Sequence, residues 1–480
     1  MVFILPRDIQ QIDPRLTGDA FGLKVSRLIF ASLVTIDPHS LEPIVDLAEH
    51  VEVVSPTLYR VKIKKGLKFS DGSELDAEDI VATFRSVVAP EISSRYARTY
   101  QRIRFMESLD AHTVDFHLVE PHATFLTDLE LPIIREQDAR RTFATSGSDL
   151  PVGAGPYRII SIKPGRIELR ANRYWHRGEV LFPKVRMIVV QDDNTRALRM
   201  LAGAADLSLN AIPPLLVPLF FNRPEFRVTA APGVGTTYLG LNTEVAPMND
   251  VRIRRAIAYA IDRKSIIKGK FGGRARVARS WIAPGHWAYG DRTSYYDYDP
   301  KKARELLREA GLSTSETKSR TRLTLRIGND RFRHSIARVI AAMLSDVGID
   351  IDIRPTEVAM LIADLNHGHF QLTMLQVPEV IEPHTLSWFF ASDKIPIPGR
   401  VEGANRWRFR NEKLDEALER GRRFHDREQR VIVYRQVQEI LAQQLPVIPL
   451  WHEDSVAIAN RRAWNYTVPR DGRFGTLARR

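Results

Sequence analysis

The sequence predicts an α/β protein of two or three lobes, and three observations predict it. Short alternating strands and amphipathic helices are interleaved along the whole chain. The 480 residues exceed what one hydrophobic core organises. No low-complexity linker and no internal repeat parts the chain into independent halves, so its lobes must be wired together by more than one crossing.

Taken in order, Val2 to Leu5 reads as the first strand. LYRVKIKKGLKF (58–69) alternates apolar and basic residues, which predicts a half-buried strand ended by an Asp71-Gly72 turn. Asp76 then caps a helix through IVATFRSVV, with Glu78 and Asp79 suited to the positive end of its dipole. VRIRRAIAYAIDRKSII (251–267) places Val251, Ile253, Ile257, Ala260 and Ile261 mostly on one face, predicting a helix with a buried stripe. Asp299-Pro300 opens the helix KKARELLREA and Gly311 closes it. Residues 412–445 read as two helices divided near His425-Asp426.

Composition removes several function classes. Apolar residues at 44% and charged residues at 27% describe an ordinary globular chain. The most apolar run, AIPPLLVPLFF (211–221), is broken by prolines and falls short of the ~18 residues of a membrane span. With no cysteine, disulfides, thiolate zinc sites, cysteine nucleophiles and an anchoring cysteine within the chain are excluded. The net charge of +12 is dispersed among acids, with only brief clusters such as RRTF and the terminal LARR, so a solvated basic surface is expected rather than nucleic-acid binding.

Enzyme motifs fail one by one. GVGTTYLG (233–240) lacks the Gly-Lys-Ser/Thr ending of a P-loop and runs into a strand. SGSDL (146–150) is no nucleophile elbow, and HExxH does not occur. His367-Gly368-His369 reads as a polar turn, and WHED (451–454) has no nucleophile at a recognisable spacing. VPEVIEPHTLSWFF (377–390) is the densest cluster: Glu379, Glu382 and His384 allow a metal site, a general-acid pair, or a ligand grip without chemistry.

Several stretches, in order over almost the whole chain, resemble the family 5 extracytoplasmic solute-binding proteins, the peptide, nickel and opine receptors of ABC importers. They are IDPRLTGD (12–19) with the following LIFASLVTIDPHSLEPIVDLAE, LYRVKIKKGLKFSDGSELDAEDIVATF, VGAGPYRI, ANRYW, DDNTRALRMLAGAADL, TTYLGLNTEVAPMNDVRIRRAIAYAIDRKSII, YDPKKARELLREAG and YRQVQEILAQQLPVIPLW. The resemblance implies a two-lobed flytrap fold closing over a solute. Lobe I is expected at 1–44, 157–234 and 450–480, an inserted subdomain at 45–156, and lobe II at 235–449. It implies a peptide or other small solute as ligand, permease subunits as partners, no cofactor, a monomer and an extracytoplasmic location. The N-terminus carries no export signal, so the chain is expected to begin at or near the mature terminus.

The same resemblance implies site residues. In the peptide-binding branch a strand ends in Trp-x-x-Asp-x-x-Asp-Pro, whose first aspartate holds the peptide ammonium; here Gln376, Glu379 and Glu382-Pro383 stand at those places. Glu379 is thus the expected ammonium anchor, in a rim made more apolar by Val380 and Ile381. Tyr238, Leu241 and Asn242 are expected at the first lobe crossing and Trp451 at the second. Asn405 is a candidate for a ligand amide, Arg406 or Arg408 for a carboxylate, and Thr17 and Asp19 for the mouth. Asp71, Gly72, Asp76, Gly155, Pro156 and Asp262 are expected to set turns, caps and packing. A metal-complex receptor would instead use His384 or His452.

Overall fold

A computed structural model describes residues 1–144, 150–291, 295–312, 320–397 and 403–478. Apart from Leu150, the SGSDL stretch lies outside the described residues. The chain forms two compact units: Met1–Ala231 with Ser455–Arg480, and Pro232–Asp454. It passes between them twice, once in each direction.

Unit 1 is built on a seven-stranded sheet in the order Phe226–Ala231, Ser455–Asn460, Leu207–Leu209, Val2–Leu5, Lys184–Val189, Arg166–Ala171, Tyr157–Lys163. Val2–Leu5 lies at its centre, parallel to both neighbours, with Phe3, Ile4 and Leu5 at most 1% exposed. Successive residues face opposite sides of a strand, so Phe3 and Leu5 join one core cluster and Ile4 the other. Residues between Ala31 and Ala154 gather a further core around the antiparallel sheet Ala48–Ser55, Leu58–Ile63, Thr113–Leu118, Ile103–Asp110. The helix Ala77–Val88 packs there, its start fixed by a capping box between Asp76 and Asp79.

Two expected elements differ. The strand expected over 58–69 ends at Ile63, because Lys64-Lys65-Gly66 turns the chain and Gly66 takes a φ of +71°. The single helix expected over 251–267 is two, Val251–Ala260 and Arg263–Phe271. Asp262 breaks it by taking non-helical backbone angles and accepting a hydrogen bond from the Ser265 N–H, which caps the second helix. The division near His425-Asp426 stands as expected, between Glu412–Arg423 and Arg427–Gln444, with Asp426 capping the latter.

Unit 2 is a six-stranded sheet in the order Ala275–Val277, Val447–Glu453, Thr236–Leu241, Leu372–Val377, Thr321–Gly328, Ile349–Thr356. Thr236–Leu241 is buried at all six positions. Leu239 and Leu241 face the core formed with the helices Val251–Ala260, Pro300–Glu309 and Arg331–Ser345. Tyr238 faces the opposite core, which holds Trp281, Trp407 and Tyr434. Residues 450–454, expected in the first lobe, complete a strand of this sheet: Trp451 pairs with both Thr237 and Val277.

Candidate functional site: the carboxyl edge of the second sheet

The registers bring several strand ends to one edge of unit 2. Thr321–Gly328 runs parallel to Ile349–Thr356 and to Leu372–Val377, while Thr236–Leu241 runs antiparallel to Leu372–Val377 and Val447–Glu453. Gly328, Thr356, Val377 and Glu453 therefore end at the edge where Thr236 begins. In open α/β sheets, the carboxyl ends of strands are where loops are free to vary and ligands are held. The segments leaving this edge carry Arg333, at the start of the helix Arg331–Ser345, and Glu379, in the loop after Val377.

Glu379 follows Leu372–Val377 directly and is half-buried. Its loop is shaped by backbone proximity. A Cβ on Gly235 would stand 2.7 Å from the Pro378 carbonyl oxygen and 3.1 Å from that of Val377, so only glycine permits this approach. Glu382 then fixes the far side of the loop. It accepts a hydrogen bond from the His384 N–H at 2.8 Å and is ion-paired with Arg430, with side chains 17% and 9% exposed. His384 Nδ1 lies 3.1 Å from the Tyr434 hydroxyl. The cluster thus divides into a carboxylate at the strand end and a braced carboxylate–histidine pair behind it.

Several expected site residues are instead fasteners. Asn242 is fully buried, its amide donating to the Gly368 and Phe370 carbonyls and its oxygen accepting from the Glu244 N–H. Asn405, also fully buried, donates to the carbonyls of Phe390, Ala391 and Phe409 and accepts from the Phe409 N–H. Neither has exposed surface to offer a ligand. Trp451 is fully buried against Phe271, with ring centroids 5.3 Å apart, rather than at a crossing. In unit 1, Thr17 is fully buried and donates to the Asp13 carbonyl at 2.6 Å, and Asp19 caps the helix Ala20–Ile29. Tyr238 and Leu241 lie within the central strand of unit 2, not at a crossing.

The arginines separate clearly. Arg408 is ion-paired with Glu244 at 2.6 Å. Among the described residues, the Arg406 side chain has a neutral partner, its Nε donating to the Asn366 side-chain oxygen at 2.9 Å. Burial lowers its pKa, with Tyr238 opposing. Tyr238 is itself raised well above the usual phenol range by burial, an effect countered by Arg406 and then Arg333. Gln376 accepts from Arg333 Nη2 at 2.9 Å. Arg333 was not among the residues the sequence suggested; its position just past a strand end, at the start of the helix Arg331–Ser345, was the available signal.

His452, considered for a metal complex, is fully buried, with Nδ1 3.0 Å from the Thr236 hydroxyl and 3.3 Å from the Gly235 carbonyl. Burial lowers its pKa to about 3, which keeps it neutral. Among the described residues, no three histidine, aspartate or glutamate side chains converge as a metal would require.

This architecture is shared with known proteins. NikA from Brucella suis, solved in complex with Fe(III)-EDTA, superposes with a TM-score of 0.88 at 21% identity, covering 99% of this chain and 98% of that one. The oligopeptide-binding protein AppA from Bacillus subtilis, solved with a nonapeptide, gives a TM-score of 0.83 at 22% identity over 99% and 98%. The fold is therefore that of the periplasmic solute-binding proteins. The sequence profile of the bacterial extracellular solute-binding proteins, family 5 Middle, matches residues 42–395, and the chain belongs to that family. Di/tripeptide-binding protein 2 of Pseudomonas aeruginosa (strain UCBPP-PA14) is 26% identical over 451 residues, 88% of this chain and 84% of that protein. Among the described residues no helix is long and apolar enough to cross a membrane.

Proposed function

We propose that the protein is an extracytoplasmic receptor that captures a peptide and delivers it to the permease of an ABC importer, binding without chemistry and acting as a monomer. The observation that carries this reading is the family match over residues 42–395, together with a relative of almost full coverage named for di- and tripeptides. Glu379 supports it, as a half-buried carboxylate at a strand end, suited to a charge-assisted bond with a peptide ammonium.

A thermal-shift series tests it. A peptide at 100 times its dissociation constant adds about 2.7 kcal/mol. At roughly 2–4 °C per kcal/mol, that is a rise of about 5–11 °C. N-acetylated peptides and the Glu379→Gln variant should both lose most of that rise. Equal stabilisation by acetylated and free peptides would remove Glu379 as the ammonium anchor. Stabilisation by chelates or sugars but by no peptide would replace the peptide reading with a receptor for another solute, a reading favoured by the likeness to NikA bound to Fe(III)-EDTA.

A further inference from the structure

The four-stranded antiparallel sheet of unit 1 carries a groove of about 220 Å³ beside its edge strand Ile103–Asp110. Phe84 and Val88 of the helix Ala77–Val88, Tyr100 of the short helix Ala97–Tyr100, and Ile103 and Met106 of the strand make its lining apolar. Two local signals create it. Pro90 pushes Ala89 into extended backbone, which ends the helix at Val88. Beside it the register of the edge strand slips between Ile103 and Phe105, a bulge that bends the strand and leaves the Phe105 ring stacked on His117 at 4.0 Å.

The groove offers two kinds of chemistry. Phe84 meets Tyr100 edge-on, with ring centroids 5.4 Å apart. The Tyr100 hydroxyl donates to the Asp128 carbonyl at 2.9 Å, so its polar atom is engaged and its ring carbons are left to the groove. Among the described residues, the charged groups lining the groove are Arg85 and Arg104, both exposed. Neither has a hydrogen bond or ion pair among those residues, and no carboxylate lines the groove. An apolar slot with unpaired guanidinium groups in its lining suits a ligand with an apolar tail and an anionic head. A cavity of about 150 Å³ takes the six carbons of benzene, so about 220 Å³ takes about nine.

We propose that this groove binds a medium-chain alkyl carboxylate of about nine carbons, its chain against Phe84, Val88 and Met106 and its carboxylate held by Arg85 and Arg104. The site goes beyond the peptide reading and does not rest on it. It lies wholly within unit 1, whereas Glu379 belongs to unit 2.

Titration calorimetry of the full chain with sodium nonanoate tests the site. Affinity should fall about fourfold for each methylene removed and level off above about nine or ten carbons. Nonanol, which lacks the charge, should bind about 10-fold more weakly than nonanoate, and the combined Arg85→Gln and Arg104→Gln variant should bind the two alike. Val88→Trp, which fills the groove, should abolish binding; the arginine variant, altered only at exposed positions, serves even if Val88→Trp does not fold. No binding of nonanoate to the wild-type protein, or an affinity unchanged in the arginine variant, would overturn the proposal. So would displacement of nonanoate by trialanine, which would put it at the peptide site. A concentration-dependent dimer that Val88→Trp disperses, with no nonanoate bound, would assign the groove to a second copy of the chain and overturn it too.

Discussion

Removing the Glu382 carboxylate should destabilise the protein by an amount set by what Arg430 keeps. Arg430 is 9% exposed at its side chain, and its pair with Glu382 sits in a site only 17% exposed on the acid side. Breaking a buried pair from one side costs about 3–5 kcal/mol, because it strands the other charge. Here part of the stabilisation remains: Arg430 lies 5.1 Å over the Trp287 ring and 5.4 Å over Tyr434, and its Nε donates to the Gly421 carbonyl at 3.3 Å. The lower bound, about 3 kcal/mol, is therefore expected for Glu382→Ala. At roughly 2–4 °C per kcal/mol this is a fall of about 6–12 °C in melting temperature. Glu382→Gln keeps an acceptor for the His384 N–H and should fall by less. Scanning calorimetry of the ligand-free proteins reads both. If Glu382→Ala melts within a degree of wild type, the pair does not brace the loop that carries Glu379, and the reasoning fails.

Three further outcomes are expected. The folded pKa of His452, about 3, lies below the ordinary 6.5, so the unfolded chain binds a proton that the folded one does not. Its contribution is complete above pH 6.5 and is lost on acidification at about 1.4 kcal/mol per pH unit; His452→Gln should flatten the stability profile between pH 6 and 4. Asp79 works the other way, with a folded pKa raised by burial to about 6, so protonation there stabilises as pH falls from 7 towards 4; the same profile on Asp79→Asn should lose that gain, and an unchanged slope would exclude it. Gly235→Ala places a Cβ 2.7 Å from the Pro378 oxygen, so urea denaturation should show a loss of about 1–3 kcal/mol, with peptide affinity weakened as the Glu379 loop is displaced.

Features governed by local chemistry were legible in the sequence. The caps at Asp76 and Asp299 and the cleavage of 412–445 into two helices rest on neighbouring residues. The errors arose where a local signal was outweighed by a closer one. Gly66 ended a strand that alternation alone would have continued, and Asp262 broke a helix whose apolar stripe was unbroken. Side-chain duties were less legible still. Asn242 and Asn405 have the chemistry of ligand contacts, but the carbonyls they fasten lie up to 128 residues away in sequence and come together only in the fold. Arg406 and Arg408 are two residues apart and alike in composition; only the position of Glu244 tells them apart.

The strand Ser455–Asn460 sits inside the unit 1 sheet, with Phe226–Ala231 on one side and Leu207–Leu209 on the other. It is also the last of the described strands in chain order. At about 5–20 residues per second, a ribosome needs on the order of ten seconds or more to cross unit 2, which separates this strand from Phe226–Ala231. Until then the sheet has a slot, and its two flanking strands present unpaired edges open to wrong partners. Unit 2 has its whole sequence once residue 454 has emerged, while unit 1 still waits for its missing strand. Unit 1 therefore cannot close its sheet until all of unit 2 has been made, which gives a newly made chain an interval in which one unit is complete and the other still open to a chaperone.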